Sequence, residues 1–151
     1  MIKKINIKNL ESAERVLSVQ FPSYRIEAAL LDNYEIPPLK DTVASLQNCD
    51  ETFFGYFIDE ELCGVISLKL EEDIVDIHRL FVHPNHLRKG IAKKLLYFLQ
   101  EEFHDAKKMI VTTGSKNSPA VEFYQKNGFT MLKELTVEEN LSLTLFEKNM
   151  N

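Results

Sequence analysis

The chain has 151 residues, 44% of them hydrophobic and 27% charged, with a formal net charge of −5. That length and balance predict a single folded domain over residues 1–151 with a core of its own, and exclude a fibrous or disordered chain. The acid excess argues against a nucleic-acid partner, which draws a basic surplus. Cys49 and Cys63 form neither a C-x-x-C pair nor a zinc-ligand spacing. Free thiols in a reducing, cytoplasmic setting are expected, with no metal. The stretch from Met1 to Leu10 alternates apolar and charged residues, unlike a signal peptide. No segment approaches the ~20 apolar residues of a membrane span, so no membrane partner is expected.

Ile2, Ile5 and Ile7 predict a short first strand. Glu11 to Val19 reads as a helix, with Ala13, Val16 and Leu17 on one face, and Ser23 to Leu31 as a second, carrying Ile26, Leu30 and Leu31. Pro37-Pro38 ends that run, and Leu39 to Leu46 is read as one more short helix. The period then changes. Thr52–Ile58, Leu62–Leu70 and Ile74–Val82 read as strands joined by tight acidic turns, an antiparallel meander. After the loop His83–Lys89, Gly90 to Phe103 is amphipathic, with Ile91, Leu95, Leu99 and Phe103 at near-helical spacing. Lys108–Thr113 reads as a buried strand and Ser118–Lys126 as a helix, capped by Ser118 and ended by Asn127-Gly128. Phe129–Val137 and Leu141–Phe146 alternate apolar and polar residues as a final hairpin, with its turn at Glu138-Glu139-Asn140. The fold class is α/β (α+β): a mixed, mostly antiparallel sheet of about six to seven strands with helices on both faces, its parallel pair flanking the Gly90 helix.

Two segments carry the candidate chemistry. In Leu80-Phe81-Val82-His83-Pro84-Asn85-His86-Leu87-Arg88-Lys89-Gly90-Ile91-Ala92 a strand ends, a basic loop follows, and a helix begins at small residues. Helix starts expose unpaired N–H groups and partial positive charge, which suits a pyrophosphate. Arg88, Lys89, Lys93 and Lys94 add charge at the same point. They oppose the helix dipole, so an anionic ligand explains them better than an ordinary basic first turn does. In Asn117-Ser118-Pro119-Ala120-Val121-Glu122-Phe123-Tyr124, Ala120 and Tyr124 share a helix face, and the small Ala120 leaves space beside the Tyr124 hydroxyl. Taken alone, Tyr124 reads sooner as a tyrosine packed at the core edge with its hydroxyl in water than as a functional group.

Together the two segments resemble the GNAT N-acetyltransferase superfamily, whose pyrophosphate loop has the form (Arg/Gln)-x-x-Gly-x-(Gly/Ala) and whose later helix has the form Asn-x-x-Ala-x-x-Phe-Tyr-x-x-x-Gly-Phe. Asn117 to Phe129 matches the second in full; the first is met by Leu87-Arg88-Lys89-Gly90-Ile91-Ala92, with Leu87 where the family has Arg or Gln. The resemblance implies acetyl-coenzyme A as co-substrate and a primary amine of a small molecule or protein as acceptor, in a monomer or homodimer. It implies that Phe81 and Val82 offer backbone groups to the pantetheine arm and an N–H to the reaction oxyanion. It implies further that amides from Leu87 to Ala92 hold the pyrophosphate, with Arg88 supplying a side-chain contact. Asn117 would touch the cofactor, and Tyr124 would protonate the departing thiolate, as a phenol of pKa about 10 can. The family often carries its base on the strand before the loop, where Asp76, His78, Leu80 and Val82 alternate onto one face. His78 and Asp76 are the candidates, His78 first because it titrates near neutrality. Two other functions compete: an acyl-coenzyme A sensor without turnover, and an unrelated nucleotide-phosphate binder. The sequence lacks the G-x-G-x-x-G and G-K-[ST] loops of the latter.

Overall fold

A computed structural model describes residues 1–139 and 141–150. The expected turn residue Asn140 lies outside the described residues. The elements are β1 (Ile2–Ile5), α1 (Leu10–Leu31), a 3-10 turn (Pro37–Leu39), α2 (Val43–Gln47), β2 (Thr52–Ile58), β3 (Glu61–Glu71) and β4 (Ile74–Val82). A second 3-10 turn (Pro84–His86) is followed by α3 (Ile91–Glu102), β5 (Lys108–Gly114), α4 (Ser118–Lys126), β6 (Thr130–Glu138) and β7 (Leu141–Asn149). They build one seven-stranded sheet in the order β1-β2-β3-β4-β5-β7-β6, antiparallel except for β4 against β5. The expected mixed sheet with helices on both faces is therefore present. Helices α3 and α4 share one core with Ile66, Leu68 and Phe146, and α1 shares the other with Phe53, Val65 and Phe81. Among the described residues no helix is long and apolar enough to cross a membrane.

Several local expectations are corrected. The two helices read over Glu11–Val19 and Ser23–Leu31 are one helix of 22 residues running through Pro22. The reason is packing: Ala13, Val16, Val19, Tyr24, Ala28 and Leu31 form one continuous buried stripe, and burial on both sides of the proline outweighs one lost backbone hydrogen bond. Helix α4 is capped by Asn117, whose side chain accepts the Ala120 N–H at 3.3 Å, so Ser118 is its first residue. Finally, Asp76, His78, Leu80 and Val82 do not share a face. Ser67 pairs with Arg79 but Leu68 with Ile77, so His78 is the extra residue of a β-bulge. Leu80 and Val82 consequently join the α3 core with Ile77, while Arg79 and Phe81 face α1.

The final hairpin forms, but β6 does not alternate inside and outside: every residue of it is exposed. It is the edge strand, beyond the cover of the helices, with bulges at Met131/Lys133 and Thr136/Glu138.

On the α1 side Arg79 ties three segments together. Its guanidinium donates to Glu51 Oε1 at 2.9 Å, to Asp41 Oδ2 at 2.6 Å and to Gln20 Oε1 at 3.0 Å. Gln20 donates in turn to the Pro38 carbonyl at 2.8 Å, and Ser67 donates to Glu51 at 2.6 Å. Burial works against the Glu51 charge, yet hydrogen bonds from Arg79 and Ser67 hold its carboxyl below the usual range. Removing Arg79 leaves two carboxylates unpaired. Arg79→Met is expected to lower unfolding stability by about 3–5 kcal/mol, measured by urea denaturation at neutral pH. The loss should shrink as pH falls through the Glu51 titration, because a depressed carboxyl stabilises the fold only while it is ionised.

Candidate active site

The bulge at His78 decides where the site opens. β4 and β5 pair from Ile74↔Lys108 to Ile77↔Val111 and no further. Past that point β4 follows β3 up to Gly64↔Val82, while β5 follows β7 up to Gly114↔Leu143. The strands part, and the gap holds a cleft of about 780 Å³ that passes between α1 and the α3–α4 pair. The Phe81 carbonyl faces Gly64, and the His83 N–H bonds the Cys63 carbonyl at 2.8 Å. Backbone groups alternate sides along a strand, so those of Leu80 and Val82 turn into the gap.

At one mouth lies the start of α3. Arg88 (φ 66°) and Gly90 (φ 75°) are both left-handed, and Gly90 caps the helix with no side-chain bond. That turn leaves the first amides of α3 pointing outward, a nest for an anion. A Cβ built on Gly90 meets nothing within 4 Å, so the approach is open. Gly64 seats the helix: a Cβ there would come within 2.8 Å of the Ile91 side chain. Leu87 and Ala92 line the cleft. Lys93 and Lys94 lie over the rings of Tyr97 and Tyr56 at 5.4 and 5.5 Å, which supports their charges beside the helix start.

Tyr124 lines the middle of the cleft, held by Phe123 and Phe129 at 5.3 Å and Phe146 at 5.9 Å between ring centres. Burial, with the Glu27 carboxylate as a second cause, pushes its phenol well above the ordinary value, so it keeps its proton far beyond neutral pH. Ala120 lines the cleft beside it, and Asn117 donates from Nδ2 to Glu27 Oε1 at 2.6 Å.

Glu27, from α1, is the residue that sequence reasoning missed. Burial raises its carboxyl above the usual range, with the Asn117 hydrogen bond pulling the other way. Among the described residues no cation pairs with it. It acts electrostatically on both Tyr24 and Tyr124. One signal was present: Tyr24, Glu27 and Leu31 stand at helical spacing, which puts an acid beside an apolar stripe.

The expected bases are adjacent to each other. His78 Nε2 is 3.3 Å from Asp76 and its Nδ1 is 3.7 Å from Glu51. Burial pushes the Asp76 carboxyl up, with His78 pulling it down. His78 borders the cleft. Of the aromatic residues on α1 and after it, Tyr24 lines the cleft, whereas Phe21 and Tyr34 line a separate hollow with Arg25 and Leu39. Elsewhere Glu61, Cys63 and His86 bring donor atoms within 4.8 Å of one another. The Lys89 ammonium donates to His86 Nδ1 at 2.9 Å, so Nε2 carries the ring proton and donates to Glu61 at 2.6 Å, an arrangement complete without an ion.

Known proteins share this architecture. A coenzyme A complex of the PaiA N-acetyltransferase from Thermoplasma acidophilum superposes with a TM-score of 0.77 at 25% identity, over 99% of this chain and 98% of that one. In sequence, residues 11–129 match the acetyltransferase (GNAT) family, so the chain belongs to that family. It is 31% identical over 141 residues to a spermidine N(1)-acetyltransferase of T. acidophilum, covering 85% of this chain and 86% of the relative. The UPF0157 protein YqkA of Bacillus subtilis is 36% identical over 146 residues, 97% of this chain, and the chain spans 43% of its length.

A carboxylate kept in the cleft without a cation is a stability penalty. Glu27 binds its proton more tightly in the folded chain than in the unfolded one, so the fold loses stability as pH rises through the Glu27 titration. Glu27→Gln keeps the bond from Asn117 and removes the charge. It should raise the melting temperature of the ligand-free protein above neutral pH, by an amount equivalent to roughly 0.5–2 kcal/mol, and the gain should vanish in acid.

Proposed function

We propose that the protein binds acetyl-coenzyme A in the β4–β5 cleft and moves its acetyl group directly to a primary amine. The observation that carries this reading is the convergence, in one cleft, of an uncapped helix start, unpaired strand backbone and a buried tyrosine beside a carboxylate. The co-substrate supplies the acetyl thioester. The amides from Arg88 to Ala92 hold its diphosphate, with Leu87 packing beside them and Arg88 and Lys89 adding charge. Leu80 and Val82 bond the extended arm as an added strand would, and Phe81 packs behind them. The Val82 N–H donates to the carbonyl oxygen as negative charge grows there. Asn117 orients Glu27.

Glu27 takes the proton from the incoming ammonium, so that nitrogen has a lone pair to form the new N–C bond as the C–S bond breaks. Tyr124 gives its proton to the sulfur. A second reading places the base at His78, with Asp76 orienting the ring, and the observation in its favour is that His78 borders the cleft. The pH profile separates the two: with Glu27 as base, His78→Ala keeps the acid limb of kcat/KM and Glu27→Gln abolishes it.

Calorimetry with coenzyme A is expected to give saturable binding that Gly90→Val weakens tenfold or more, since a side chain there both strains the left-handed turn and crowds the anion. No heat at millimolar coenzyme A would end the proposal. Thiol release from acetyl-coenzyme A across an amine panel should fall about 10²–10⁴-fold in Tyr124→Phe. Tight binding with no turnover on any amine would instead leave the sensor reading standing.

A further inference from the structure

The helix-start mouth of the cleft takes the diphosphate, so the acceptor must enter from the other mouth; this step rests on the acetyl-transfer reading. That mouth is framed by α1 and the final hairpin. Ile26 and Leu30 stand one helical turn apart on its α1 side and are 46% and 43% exposed. Val137, 55% exposed, and the half-buried Leu143 face them from β6 and β7. Apolar side chains left this open at a concave entrance mark a ligand surface.

The charges there are unequal. Glu27 is half-buried and without a cation among the described residues. Glu35 is engaged by Lys40 at 2.9 Å. Glu138 lies at the exposed outer edge of the entrance, on β6. The positive charge of Arg79 is spent on Glu51 and Asp41. The pattern is one half-buried carboxylate without a cation inside an apolar entrance, and a second, Glu138, at its exposed rim.

We propose that the acceptor is a primary amine on an apolar body, an arylalkyl or branched alkyl amine, and not a polyamine. Its single ammonium meets Glu27. Its carbon skeleton covers Ile26, Leu30, Val137 and Leu143. A polyamine reaching Glu27 lays its nearer ammonium groups along that same apolar wall, and only Glu138 and the Lys40-paired Glu35, both exposed at the rim where water screens them, are left to meet the rest.

The test is calorimetric titration of the coenzyme A-loaded protein with two probes, 2-phenylethylamine and spermidine, so that preference is read in binding and does not depend on turnover. The same titration of ligand-free protein keeps the preference readable if coenzyme A fails to bind, a result that would strike the acetyl-transfer reading alone. Phenylethylamine is expected to bind roughly tenfold tighter or more. Ile26→Ser/Leu30→Ser should erase that margin while leaving coenzyme A affinity unchanged, and Glu27→Gln should weaken both probes. Spermidine binding as tightly as phenylethylamine would overturn the proposal, as would a preference that survives in the Ile26/Leu30 double variant.

Discussion

β4 is shared between two neighbours that diverge. It pairs with β5 only as far as Ile77↔Val111, and one extra residue, His78, then turns it to follow β3. A sheet ordinarily satisfies its backbone by pairing. Here the second half of β4 faces an open gap, and so does the end of β5, which has gone with β7. The gap exists because each strand has a better partner on its other side. Everything placed at it inherits its position from this parting: the α3 start hangs from the end of β4, Tyr124 stands on the helix that follows β5, and α1 crosses behind.

Two acidic groups on the α1 side show how the structure separates stability from chemistry. Glu51 accepts from Arg79 and Ser67, and its carboxyl stays below the ordinary range despite burial. Glu27 has one neutral donor, Asn117, and burial prevails. The first arrangement anchors the segments around Pro38 and Asp41 to β4. The second leaves a charge with unmet demand, facing a cleft. A half-buried carboxylate of that kind is retained at a cost in stability, the pattern expected of a group that the proposed reaction would bring against an incoming cation.

The sheet was legible because its signals are local: period-two runs mark the strands. Glycine and alanine at the start of α3 likewise mark an open helix end, the place that the acetyl-transfer reading gives to the diphosphate. The misreadings arose where tertiary contacts overrule local signals. Pro22 looks like a boundary until the stripe from Ala13 to Leu31 is seen to pack without a break. A strand face cannot be counted through an invisible bulge: alternation puts His78 and Leu80 on one face, whereas Leu80 packs toward α3 and the exposed His78 lies beside Glu51. Glu27 was hidden for a related reason: it lies 90 residues from Asn117, and its significance comes only from that contact and from Tyr124.

The two mouths of the cleft differ in kind, and this gives the site a direction. One is built of peptide dipoles and lysines and, among the described residues, carries no unpaired acid; the other has an acid set within hydrocarbon. An anionic carrier is attracted to the first and repelled by Glu27 at the second. A cation is drawn the opposite way, since Lys93 and Lys94 guard the helix start. Tyr124 lines the same cleft, its pKa pushed up by burial and, second, by the Glu27 carboxylate. The carboxylate that would attract the amine also raises the phenol's pKa while it is ionised, and lifts that effect as it takes the amine's proton, so one charge bears on both ends of the proposed proton transfer. Moving that charge to the flank, where Asp76 and His78 lie against Glu51, would give up the second effect, and this is the physical reason to prefer α1 over β4 as the source of the base.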